Sequence, residues 1–183
     1  TASTNNWLHA SYGVGASTGP LLVTLMLSRN LQWYHAYMAV ATIQMVLGLL
    51  FMSTRHRWKV SSGKEDHHST SEYFQTLKLP IVWLYMLIFF LYTGIEQGFG
   101  QWLFTILTRS RGIEDEQAGL WTSLYWGSLT IGRIVFGVLL TKIAVNRVLV
   151  AAILGIGAGM ILFTLNLSTV TSLFGIILLG AAN

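Results

Sequence analysis

Long apolar runs separated by short polar breaks fill almost the whole chain, covering 7–27, 32–52, 79–107, 118–143, 148–165 and 170–183. A helix that crosses a bilayer needs ~20 predominantly apolar residues, so the pattern predicts six membrane helices, the last too short to span before the chain stops. The breaks are brief except for 53–78, which carries Arg55, Arg57, Lys59, Lys64, Glu65, Asp66, His67 and His68. This division predicts an all-α polytopic membrane bundle, with 1–52 and 79–183 on either side of a polar linker.

Within the runs, polar positions keep helical spacing. In the third run Thr93, Gln97, Gln101 and Thr105 stand four apart, with Tyr92 and Glu96 beside them. Residues four apart share a helix face, so this face is expected to meet other helices or water. Glu96 lies near mid-span, where an ionised carboxylate costs about 2.5–3.5 kcal/mol on insertion scales. Ionisable residues at that depth mark solute and proton pathways, which makes Glu96 a candidate for ion coupling or substrate binding. The fourth run repeats the arrangement with Thr122, Trp126, Thr130, Arg133 and Gly137. Arg133 is the second intramembrane charge, either a substrate group or an anchor for backbone carbonyls. Glu96 falls outward and Arg133 inward of their span centres, and a pair between them is a hypothesis that a long guanidinium allows. The first run aligns His9, Gly13, Ser17 and Thr24 around Pro20, a possible hinge. Gly15 with Gly19, Gly94 with Gly98 and Gly155 with Gly159 form GxxxG spacings, expected to let helix backbones pack closely.

Composition agrees with lipid as the solvent: 53% of residues are hydrophobic, 10% are charged, and mean hydropathy is +0.57. A net charge of +4 does not point to nucleic acid, because the Lys and Arg residues sit mostly between apolar runs and not on one face. They report topology instead. Arg55, Arg57, Lys59, Lys64, Lys78, Lys142 and Arg147 fall on one side, against Arg29, Arg109 and Arg111 on the other. The positive-inside rule therefore makes the 53–78 linker cytoplasmic. Trp7, Trp33, Tyr34, Trp58 and Trp121 fall near helix ends, where amphipathic rings suit the headgroup region. Glu114, Asp115 and Glu116 precede the fourth helix as a solvated cap that the macrodipole favours.

The absence of cysteine excludes thiolate chemistry and Cys-based metal sites. His9 and His35 are predicted at opposite helix ends, and His67 and His68 in the linker, so no metal site is expected. No HExxH or P-loop motif occurs, and no enzyme is predicted. The sequon Asn166-Leu167-Ser168 abuts the membrane and is not expected to be glycosylated. The chain starts without Met and ends inside an apolar run, so it is expected to be an internal piece of a longer protein.

The string YTGIEQGFGQWLFT followed by AGLWTSLYWGSLTIGRIVFGVLLTK resembles helices seven and eight of major facilitator superfamily transporters, especially the branch of fucose:proton symporters and sodium-dependent glucose transporters. NWLHASYGVGASTGPLL resembles their fifth helix. Its GxxxGP is also similar to the antiporter signature, but no double glycine follows Pro20. Gly137 through Thr141 and Lys142, then Asn146 and Arg147, is similar to the superfamily's cytoplasmic gate motif between helices eight and nine. Thr141 stands where an acidic residue is more usual.

The resemblance implies a partial major facilitator fold, helices five to ten of twelve, working by alternating access. It implies a sugar such as a monosaccharide as substrate, H+ or Na+ as coupling ion, and no other cofactor. Tyr92, Gln97, Gln101, Trp102, Tyr125 and Trp126 would then offer hydrogen bonds and ring faces to sugar hydroxyls and CH groups. The expected setting is the plasma membrane or a bacterial inner membrane, with the full-length protein acting as a monomer. Alternatives are a drug or metabolite exporter of the same superfamily, and a receptor or scaffold that moves no solute.

Overall fold

Apolar runs fold as helices here because, in lipid, each backbone N–H and C=O must be satisfied within its own segment. The computed structural model describes residues 2–57 and 75–183, with side chains from residue 11 onward. The linker residues Trp58, Lys59, Lys64, Glu65, Asp66, His67 and His68 lie outside the described residues, as do the side chains of Trp7 and His9.

Among the described residues six helices follow in order: α1 (Ala2–Ser28), α2 (Tyr34–Thr54), α3 (Pro80–Thr105), α4 (Asp115–Leu139), α5 (Val145–Leu165) and α6 (Thr169–Ala182). A 3-10 turn, Arg55–Arg57, extends α2, and a π turn, Ile106–Ser110, extends α3. No strand occurs among the described residues. The chain is an all-α membrane helix bundle and an integral membrane protein.

Three segments, Tyr34–Arg57, Pro80–Ser110 and Val145–Leu165, are both long and apolar enough to cross a membrane. At ~1.5 Å per residue, α1 and α4 reach as far, with 27 and 25 residues. Their Ser, Thr and Gly positions dilute the apolar character, and those same positions build the interfaces described below.

One compact unit, Tyr34–Gly98, contains α2 and most of α3. Almost every large side chain on it is open, including Met45 at 69% and Phe90 at 72% exposure. An apolar surface of this extent along α2 and α3 is compatible with acyl chains and not with water.

The other unit comprises Thr1–Trp33 and Phe99–Asn183. Here α4 is central, packed by α1 and by α6, with α5 against α6. The α5–α6 pair is a tight antiparallel hairpin. Asn166 ends α5 in the left-handed region at φ 47°, which Asn tolerates. Ser168 then opens α6 with a capping box closed by Thr171. The two backbones touch: a Cβ added to Gly159 would lie 2.7 Å from the Leu179 nitrogen, and one on Gly175 2.7 Å from that of Phe163. The Gly155–Gly159 spacing therefore packs as expected. Gly15, Gly19, Gly94 and Gly98 have no described atom within 4 Å of an added Cβ. Leu103, Leu107, Tyr125, Leu129, Phe163, Ile176 and Leu179 form the core of this unit.

Candidate functional site

The contact between α1 and α4 is made of side chains seated in glycine notches. Thr24 of α1 fills the space beside Gly119, and Thr130 of α4 fills the space beside Gly13. Between them Ser17 stands 4.0 Å from where a Cβ on Gly127 would be. The pairing runs in opposite directions along the two helices, so they are antiparallel. Both threonine hydroxyls donate within their own helix, Thr24 to the Pro20 carbonyl at 2.8 Å and Thr130 to the Trp126 carbonyl at 2.9 Å.

Where α1, α4 and the end of α3 diverge, they border a half-open cavity of about 760 Å3. That volume falls within the ~300–1,000 Å3 usual for small-molecule sites. Pro20, Thr24, Leu27 and Ser28 come from α1, Gly100, Gln101 and Phe104 from α3, and Gly119, Thr122 and Trp126 from α4. Glu114, Asp115 and Glu116 line the end beside Ser28, where the α4 N-terminus favours negative charge. From Glu116 to Trp126 the α4 wall extends ~15 Å at ~1.5 Å per residue. No Lys, Arg or His lines the cavity among the described residues.

Trp126 owes its position to Gly100, since a Cβ there would collide with the indole ring. Thr122 donates to the Ala118 carbonyl at 2.8 Å, leaving its oxygen available to accept. Gln101 is exposed along the wall and offers both a carbonyl and an amide.

The cavity thus brings together Gln101 and Trp126 from the sequence-predicted set. Glu96 is buried, at 4% exposure, while Tyr92 and Gln97 are half-buried, and all three belong to the Tyr34–Gly98 unit. Arg133 is half-buried on α4, beyond the cavity lining. Tyr125 is fully buried in the core and Trp102 is 64% exposed; neither lines the cavity. In the gate motif, Gly137 is on the last turns of α4, and Lys142 and Arg147 are exposed around the α4–α5 turn. Thr141 donates to the Val138 carbonyl at 2.7 Å, closing its own turn where an acidic residue would carry charge.

Phe104, Ser28, Gly100 and Gly119 were not predicted. Only the helical phase of Phe104 and Gly100 relative to Gln101 on α3 hints at a shared face. The acidic triplet was predicted only as a cap, and its place on the cavity wall follows from the α1 end that faces it.

Among curated proteins, the chain is 22% identical to Bypass of stop codon protein 6 of Saccharomyces cerevisiae over 71% of its length and 31% of the relative's. It is 28% identical to Sodium-dependent glucose transporter 1 of Homo sapiens, over 57% of the chain and 20% of the relative. With Glucose/mannose transporter GlcP of Bacillus subtilis it shares 25% identity over 94% of the chain and 44% of the relative. The chain therefore spans less than half the length of the curated relatives it matches. No solved structure matches. The family model for the Major Facilitator Superfamily matches residues 2–183. The helices of the described residues, without a strand among them, agree with this match: the chain belongs to the Major Facilitator Superfamily, a family of transporters and not of enzymes.

Proposed function

We propose that the chain is the middle part of a secondary transporter that takes up a sugar, a monosaccharide in the first instance, driven by a proton or sodium gradient. In this proposal 1–52 closes the first helix bundle, 53–78 is the cytoplasmic linker, and 79–183 opens the second bundle. The two bundles alternate access to a site between them.

The observation that carries the proposal is the cavity shared by Gln101 and Trp126. Gln101, Thr24 and Thr122 supply a donor and several acceptors, the pattern a polyhydroxylated solute needs. Trp126 and Phe104 add aromatic surface for its CH groups. Carboxylates at one end and no basic group among the described lining residues favour an uncharged solute over an anionic one. The names of the human and Bacillus subtilis relatives point to the same substrate class. Glu96 is assigned the coupling or substrate role, Gln97 and Tyr92 stand beside it as candidate ligands, and Arg133 serves as gate or anchor.

The test is uptake of labelled glucose and mannose by the full-length protein in proteoliposomes, with and without a pH or sodium gradient. Gradient-driven accumulation is expected. Glu96→Gln should abolish accumulation while sparing exchange between labelled and unlabelled sugar. Unchanged accumulation by that variant would remove Glu96 from the mechanism, and no sugar movement by the wild type would remove the sugar assignment.

A further inference from the structure

Arg111 follows the π turn of α3, outside the membrane spans and away from the cavity lining. Its backbone N–H closes that turn on the Ile106 carbonyl at 3.2 Å. Its guanidinium reaches 52 positions along the chain to the last turn of α5. There Nη2 donates to the Phe163 carbonyl, and Cζ lies 3.8 Å above the centre of the Phe163 ring.

Helix-end carbonyls lack partners within the helix and attract cations, which accounts for the hydrogen bond alone. The placement demands more. Nη1 is buried with no hydrogen-bond partner among the described residues, and burial lowers the guanidinium pKa. An arginine left at the surface would cap α5 without that cost. What burial adds is a fixed orientation for Phe163, held from above by a planar cation.

Phe163 begins a row of rings. It meets Phe99 of α3 edge-on at 5.1 Å and 77°, Phe99 meets Tyr125 of α4 at 5.1 Å and 56°, and Tyr125 meets Trp126 at 5.2 Å and 70°. Phe163, Tyr125 and Trp126 are each under 10% exposed and Phe99 between them is half-buried, so a turn of one ring presses on the next. The row ends on the cavity wall.

We propose that Arg111 is a positioning residue for Trp126: acting through Phe163, Phe99 and Tyr125, it fixes the indole against the cavity and sets how tightly solute is held. Only the uptake arm of the test rests on the transport proposal above.

The first arm is fluorine NMR of the full-length protein labelled with 5-fluorotryptophan, with the Trp126 signal assigned by Trp126→Phe. Arg111→Lys keeps the charge and loses the planar fork, and Phe163→Leu breaks the row one step further in. Both should shift or broaden the Trp126 signal, whereas Arg109→Lys, on the exposed part of the same segment, should leave it in place. A Trp126 signal unmoved by both variants, with the protein still folded by thermal unfolding, overturns the proposal. If Arg111→Lys does not fold, Phe163→Leu decides alone. In the uptake arm, Arg111→Lys should raise KM about three- to tenfold and leave Vmax within about twofold. Combined with Trp126→Phe it should add no further loss, and losses that multiply would count against the proposal. A wild type that moves no sugar refutes the transport proposal and leaves the NMR arm to decide this one.

Discussion

The two sides of α4 are built differently although both rely on glycine. Toward α6, backbone meets backbone: Gly132 lies against the Ala181 carbonyl, and Gly180 of α6 lies against the Tyr125 carbonyl and the Ser128 hydroxyl. Toward α1, side chains fill notches, Thr24 at Gly119 and Thr130 at Gly13, and the helices then part to border the cavity. A backbone contact has no rotamers with which to yield. A side chain in a notch can withdraw, because its hydroxyl is satisfied by its own helix. The α6 side suits a permanent joint within one rigid unit, and the α1 side suits one that opens.

The largest effect that separates the two sides is expected at Gly132. Gly132→Val drives a branched side chain into the Ala181 carbonyl, where only helix displacement can make room. Overpacking of this kind costs about 3 kcal/mol, read as a loss of thermal stability in detergent and a fall in the yield of folded protein. A variant as stable as the wild type would show that α6 does not seat on α4 at this point.

A smaller and reversible effect is expected at Gly119. Gly119→Ala places a methyl group on the Thr24 hydroxyl, at a cost of about 1–2 kcal/mol. Adding Thr24→Ala removes the hydroxyl and the methyl group that the new Cβ meets and should recover more than half of the lost stability, with no helix penalty because alanine is the better helix former. No side-chain deletion can rescue Gly132→Val in this way, because its obstacle is main chain. Failure of the paired variant to recover anything would erase the distinction between the two sides.

The α1 and α4 faces were legible in advance as separate stripes. Gly13, Ser17 and Thr24 shared one helical phase, and Thr122, Trp126 and Thr130 shared another, because burial next to another helix selects small and hydroxylated residues at a period near 3.6. Which stripe meets which was not legible. GxxxG spacing marked Gly15 and Gly19, yet the notches used are Gly13 on α1 and Gly119 on α4, since a notch is defined by the side chain opposite it and not by a second glycine on its own helix. Tyr125 and Trp102 carried the same sequence signal as Trp126. The structure buries the first in the core and turns the second outward, a difference of 100° in helical phase per residue that composition cannot express. Arg111 signalled only topology and not its contact with Phe163, because that partner is 52 residues away.

The smallest expected effect concerns the open end of the cavity, on the α1 side of α4. Glu114, Asp115 and Glu116 are exposed, so their charges act through solvent and contribute chiefly to which solutes approach. Replacing all three by Gln, Asn and Gln should leave uptake of a neutral sugar within about twofold. Inhibition of that uptake by a sugar acid of the same size should strengthen by up to about tenfold at low salt. The gain should fade near 0.15 M salt, where the screening length is about 8 Å. A helix cap without a role at the cavity predicts a different result: a small loss of stability from the missing dipole partners, with the ratio of acid to neutral sugar unchanged at every salt concentration. The salt series therefore separates carboxylates that guard the cavity from carboxylates that only begin a helix. It also locates the opening, because only charges close to the path of the solute can change that ratio.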